Sequence, residues 1–250
     1  MQVKKIAFIT GATSGIGEAT AQLFAQHNVQ LILCGRNEKK LAELKKHLPT
    51  EVMTLAFDVT NKKAVQKAIS SLPDTWKNID ILVNNAGNAF GLEPIQQGNS
   101  ENWDKMIDLN IKGLLYVSEM IIPIMVAQNQ GHIINLGSIA GMAVYPKGNI
   151  YCATKYAVNA ISDAMRIDLN AHNIKVTEIR PGAVETNFSI TRFDGDTERA
   201  KKVYEGFTPL NAQDIAETIW FSVQRPAHVQ IAEIVIYPTA QASATVFNRK

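Results

Sequence analysis

TGATSGIGEA, residues 10–19, follows the apolar run Lys5–Thr10 and places three glycines within seven positions. The run before it reads as a strand, and the Ala19/Leu23 spacing that follows reads as a helix. Where a strand feeds a helix, the first-turn N–H groups lack intrahelical partners and the dipole end is positive. A diphosphate fits such a place when no side chain blocks its approach. The spacing Gly11-x-x-x-Gly15-x-Gly17 differs from the G-x-G-x-x-G fingerprint of many dinucleotide sites, and a tight turn alone also accounts for glycines here.

The next strand narrows the choice of ligand. An acidic residue near its end hydrogen-bonds a ribose 2′-OH, whereas an arginine there accommodates a 2′-phosphate. This chain has LILCGRN, ending in Gly35-Arg36-Asn37, with no acid before Glu38. Arg36 therefore favours NADP over NAD; an exposed arginine at a helix start is the alternative. Asp58, in FDVT after the third strand, is placed for the adenine edge and equally for a turn or helix cap.

Short apolar or β-branched runs alternate with segments of helical period along the whole chain. The strand candidates are Lys5–Thr10, Gln30–Cys34, Val52–Phe57, Ile81–Val83, Gly131–Leu136, Lys175–Ile179 and Ile231–Ile236, with amphipathic patterns such as Ala64/Ala68 between them. That alternation predicts an α/β fold: a doubly wound parallel sheet with helices on both faces. No internal repeat or linker interrupts it, and 250 residues with 46% hydrophobic content suit a single domain over 1–250. The least periodic stretch, Thr186–Phe207, is expected to be a mobile flap.

A formal net charge of +2 leaves no broad basic field, so nucleic acid is not an expected partner. Cys34 and Cys152 lie among apolar or small residues and read as reduced packing thiols. The N-terminus runs directly into a strand, and no apolar run approaches the roughly 18 residues that span a bilayer. The expectation is a soluble cytoplasmic protein with no membrane partner and no metal.

Tyr151 and Lys155, in YCATK, are four apart and so emerge on one face of a helix. A cationic lysine beside a phenol stabilises phenolate and lowers the tyrosine pKa from about 10, which makes an acid/base. Ser138, in NLGSIAG at a strand end, adds a hydroxyl where doubly wound sheets bind ligands.

TGATSGIG, NNAG at 84–87, Asn110, Ser138, the Tyr151/Lys155 pair and Pro181-Gly182 stand in the order and spacing of the short-chain dehydrogenase/reductases, which the chain resembles over essentially its full length. The resemblance implies a seven-stranded Rossmann-type sheet, Tyr151 as catalytic acid/base and Lys155 lowering its pKa and holding the nicotinamide ribose. It further implies Ser138 orienting the carbonyl, and Asn110 anchoring a proton-relay water by way of a distorted helix. It implies an NADP(H) site drawn from Gly11, Thr13, Ser14, Gly15, Ile16, Gly17, Arg36, Asn37, Asp58, Val59, Asn85, Tyr151, Lys155, Pro181, Gly182, Val184 and Thr186. Hydride transfer from the pro-S face and a homotetramer packed through helices near 102–128 and 151–170 are also implied.

LPDTWKNIDILVNNAG, the RFDGD run at 192–196 and PAHVQI at 226–231 look like the NADP-dependent 3-hydroxy acid dehydrogenases, a subgroup that also oxidises serine and allo-threonine. A 3-hydroxy acid needs a cation for its carboxylate. Arg192, on the flap, is the candidate; the alternative is an exposed pair with Asp194 or Asp196. A broad carbonyl reductase for neutral substrates, and a non-catalytic NADPH sensor, are the rival functions.

Overall fold

Each of the seven strands is too short and too apolar to be stable alone, and together they make one parallel sheet with both faces covered. The computed structural model describes residues 4–250. The strands are β1 (Ile6–Thr10), β2 (Gln30–Gly35), β3 (Val52–Ala56), β4 (Ile81–Asn84), β5 (Gly131–Leu136), β6 (Ile174–Pro181) and β7 (Glu233–Ile236). They lie in the order β3-β2-β1-β4-β5-β6-β7, so the winding reverses between β1 and β4. Ligands bind outside the carboxyl ends of the strands at such a reversal.

The connecting helices are α1 (Gly15–Gln26), α2 (Glu38–His47), α3 (Lys62–Ser70), α4 (Ser100–Ile107), α5 (Leu114–Gln128), α6 (Asn149–Asp168), α7 (Asn187–Arg192), α8 (Thr197–Lys202) and α9 (Ala212–Val223). Side-chain alternation along the strands gives the sheet two cores. On one face Phe8, Ile32, Leu82 and Ile133 meet Val65 of α3, Ile121 of α5 and Val158 of α6. On the other, Ile9, Leu31, Val83 and Ile134 meet Phe24 of α1, Leu41 of α2 and Ile219 of α9. Burying one such side chain contributes roughly 1.5–3 kcal/mol, so the two layers fix the strand ends that carry the site.

A buried polar ladder sets the register of the helices behind the site. Asn84 Nδ2 donates to Asn135 Oδ1 at 2.9 Å and to Ser118 Oγ at 3.1 Å. Asn135 Nδ2 in turn donates to Ser162 Oγ at 3.0 Å. One chain of amides thus ties β4 and β5 to α5 and α6, and none of these groups tolerates an apolar shift.

The structure adds detail to three expectations. The helix Ser100–Gln128 is continuous, and by length and composition alone it is apolar enough to cross a membrane, with a mean hydropathy of 1.5 over its most apolar window. Lys112 and Glu119 interrupt the apolar run in the sequence, while Val117, Ile121 and Met125 face the core. The stretch 186–207, expected to be a flap, holds two short helices, α7 and α8, capped by Thr186 and Asp196. Finally, β7 starts at Glu233, since Thr177 Oγ1 donates to the Ile231 carbonyl and the Glu178 N–H to that of Ala232.

Candidate active site

The glycine loop between β1 and α1 does what its composition suggests. Gly11 and Gly15 have φ of +63° and +54°, where a side chain is strained. A Cβ on Gly17 would collide with the Gly11 carbonyl and stand 2.5 Å from Asn85 Nδ2, so this glycine allows the helix to pack against the loop. Gly17 itself does not line the cleft. Ser14, at the N-cap of α1, makes no capping hydrogen bond, which leaves the first-turn N–H groups available. Asn85 Nδ2 donates to the Thr10 and Gly11 carbonyls at 2.9 and 3.1 Å, tying the loop to β4.

From this loop a cleft of about 600 Å³ runs across the carboxyl ends of the strands. Gly11, Thr13, Ser14, Gly15 and Ile16 line one end, with Arg36, Asp58 and Val59 beside them and Asn85 along the floor. Ser138, Tyr151 and Lys155 line the other end, under Pro181, Gly182, Val184 and Thr186. A Cβ on Gly15 would come within 3.3 Å of Thr186 Cβ, so the roof closes on the glycine loop. Positive-φ glycines, uncapped N–H groups and an arginine at the end of β2 fit a phosphorylated dinucleotide.

Arg36 has one charged neighbour, Asp58 Oδ2 at 3.9 Å, and its side chain is 80% exposed. Asp58 also forms the turn foreseen as its alternative role, with Oδ1 accepting from Thr60 N at 2.9 Å. Asn37, like Gly17, is a member of the expected cofactor set that lies off the cleft lining. Its Oδ1 accepts from Lys40 N at 3.0 Å as the cap of α2.

Tyr151 and Lys155 are both buried on α6. Lys155 Nζ donates to the Leu136 carbonyl at 2.7 Å and lies 6.0 Å from the centre of the Tyr151 ring. Burial pushes Lys155 down to about 8, opposed by the charge of Glu178. Lys155 does not set the net shift of the Tyr151 phenol in this geometry. Burial raises the phenol well above its ordinary value, Tyr145 adds to the rise, and the nearby Ser138 hydroxyl and the charge of Arg192 oppose it. The phenol therefore holds its proton at neutral pH. Ser138 Oγ also accepts from Ala140 N at 3.1 Å, which fixes its rotamer at the end of β5.

Asn110 sits in a π-helical turn over Asp108–Gly113, between α4 and α5. A π-turn re-aims side chains and backbone carbonyls. Asn110 Oδ1 accepts from Asn88 N at 2.8 Å, and Nδ2 donates to the Asn88 carbonyl at 2.8 Å and to Thr154 Oγ1 at 3.0 Å. It does not line the cleft, so its geometry is that of a positioning residue behind Gly87 and Lys155.

Arg192 does not pair with Asp194 or Asp196. Its Nε donates to the Gly91 carbonyl at 2.9 Å and its Nη1 to Tyr145 Oη at 3.1 Å. The guanidinium carbon lies 5.8 Å from the centre of the Tyr151 ring. Sequence reasoning missed Tyr145, Phe188, Tyr204 and Gln241, which also line the cleft. Gln241 accepts from Ala183 N at 2.8 Å, and a Cβ on Gly182 would collide with it. A contact spanning about sixty residues leaves no local signal.

Seven parallel strands, a glycine cradle and a Ser138/Tyr151/Lys155 cluster at one cleft end define the class. The short chain dehydrogenase family model matches residues 5–196, and the chain belongs to that family. It is 45% identical over 240 residues to the NADP-dependent 3-hydroxy acid dehydrogenase YdfG of Salmonella typhi, covering 96% of this chain and 97% of that protein. It is 41% identical over 240 residues to sulfoacetaldehyde reductase 2 of Chromohalobacter salexigens, with 95% of each covered. Among solved structures, the closed form of a serine dehydrogenase complexed with NADP+ superposes with a TM-score of 0.92 at 42% identity, covering 98% of this chain and 99% of that one.

Proposed function

We propose that the protein is an NADP(H)-dependent oxidoreductase that interconverts a secondary alcohol and a carbonyl on an anionic substrate, with 3-hydroxy acids and β-hydroxy amino acids as the favoured class. The observation that carries the substrate reading is Arg192, a cation held over the Tyr151 ring by Gly91 and Tyr145. Its planar fork suits a carboxylate placed beside the reacting hydroxyl. The 3-hydroxy acid and serine dehydrogenases among the similar proteins support the same reading.

NADP(H), when bound against the glycine cradle and Arg36, supplies or accepts the hydride. In reduction Tyr151 gives its proton to the substrate oxygen as that oxygen gains charge, and Ser138 donates a hydrogen bond to the same atom. Both interactions strengthen toward the transition state, which is the differential stabilisation catalysis needs. Oxidation reverses the proton step: Tyr151, as phenolate, takes the proton of the substrate hydroxyl. Lys155, buried beside Tyr151, favours the phenolate whenever it is itself protonated.

The test is a substrate panel read with Arg192→Ala. KM for 3-hydroxy acids and β-hydroxy amino acids should rise tenfold or more, equivalent to about 1.4 kcal/mol, with neutral alcohols and ketones nearly unaffected. Equal losses on charged and neutral substrates would leave Arg192 only a shaping role and favour a broad carbonyl reductase. A sulfonated aldehyde belongs in the panel, because a guanidinium serves a sulfonate as well and a relative carries that activity in its name.

The same proposal includes a homotetramer in the cytoplasm. Leu115 on α5 and Tyr156 and Ile167 on α6 are exposed, the last at 77%, and give these helices an unpaired apolar face. Two buried free cysteines accord with a reducing compartment. Light scattering should return about four times the 27.5 kDa chain mass, and a monomer would remove the interface.

A further inference from the structure

One charged cluster lies outside the cleft and directly beneath it. Glu178, on β6, is completely buried. Its Oε2 accepts from Arg180 Nη2 at 2.9 Å and from Asn159 Nδ2 at 3.2 Å, while its Oε1 has no partner among the described residues. A buried carboxylate oxygen without a partner is costly, so its setting calls for a reason.

Three contacts point to the catalytic centre. Asn159 is one helical turn beyond Lys155 on the same face of α6. A Cβ on Gly137 would collide with Glu178 Oε1, so that oxygen lies against the residue that immediately precedes Ser138. Lys155 Nζ holds the carbonyl of Leu136, the residue before that. Glu178 and Lys155 thus pack on consecutive residues at the end of β5, which carries Ser138.

We infer that Glu178 is a positioning residue for the reaction, a buried negative charge that packs under the Ser138 strand end beside the residue held by Lys155. Glu178 is the charge that acts on Lys155, raising its affinity for a proton against the effect of burial. The other groups facing this region are Tyr151 on α6, Asn110 of the π-turn and Ser138 after β5, of which only Tyr151 titrates. Tyr145 and Arg192 act on Tyr151 from across the cleft. Around Glu178 itself stand Arg180, Glu233 of β7, which also pairs with Arg180, and Asp163 of α6, which acts on Arg180.

Removing the negative charge makes Lys155 release its proton at lower pH, because the cation loses its counter-charge. The test is Glu178→Gln, which keeps shape and removes charge, beside Glu178→Asp, which keeps charge. In the protein alone, the Lys155 side-chain resonance, assigned by its loss in Lys155→Met, should titrate about one pH unit lower in E178Q and within 0.3 unit of the parent in E178D. The alkaline limb of kcat/KM for carbonyl reduction should move down in the same variant.

An unmoved Lys155 midpoint in E178Q, or equal shifts in both variants, would overturn the assignment. If E178Q does not fold because Arg180 is left uncompensated, E178Q/R180Q removes both partners and is read for a smaller downward shift, since losing the Arg180 cation offsets part of it; no downward shift there would also overturn the assignment. The inference rests on the oxidoreductase reading. The resonance titration needs no turnover, so failure of that reading would show as an inactive parent with the Lys155 shift still measurable.

Discussion

Tyr151→Phe is expected to lower kcat by about 10²–10⁴-fold or more, the range for losing a general acid, with NADP(H) affinity retained. The substitution keeps the ring, so the packing on Phe188, 5.6 Å between ring centres, survives. What disappears is the phenol and the proton that burial holds on it, beside the Ser138 hydroxyl. Single-turnover reduction and a direct NADPH titration on the same preparation check the two halves. Turnover within about threefold of the parent would remove Tyr151 from the proton step. Loss of NADPH binding would place its main role in building the site.

How much of this could be read in the sequence depends on the range of the interaction. The sheet was legible because each strand is a local pattern, and a fully buried run such as Ile6–Thr10 shows itself by composition alone. The glycine loop was legible because positive φ restricts the residue type at that position. Tyr151 and Lys155 were legible as neighbours because four residues on a helix fix a common face.

Their electrostatics were not legible. The expected effect of Lys155 on Tyr151 treats the pair in isolation, whereas the fold surrounds both groups with apolar atoms and engages Nζ on Leu136. Asn37 also caps α2: an orphan backbone N–H of the first turn, that of Lys40, donates to its side-chain oxygen. Contacts between segments far apart in the chain, Gln241 with Ala183 and Tyr145 with Arg192, carry no pattern at either end.

Arg36→Asp is expected to invert the cofactor preference. The arginine is nearly free, with Asp58 at 3.9 Å as its one charged neighbour, so removing it disturbs no buried contact and should leave stability within the small range of exposed ion pairs. In the complex, a guanidinium bound to a 2′-phosphate is a charge-assisted contact worth roughly 1.5–3 kcal/mol, or about 10- to 150-fold in affinity. An aspartate adds repulsion from the same position, and Asp58 beside it adds more. NAD has no 2′-phosphate and loses neither contact, while the new carboxylate can accept from its ribose hydroxyl. Calorimetric titration of both cofactors, with the ratio of their kcat/KM values, measures the change. An unchanged ratio would move the 2′-phosphate contact to Ser14, whose hydroxyl makes no capping bond. Asn37 would be the weaker choice, because its side-chain oxygen already holds the first turn of α2.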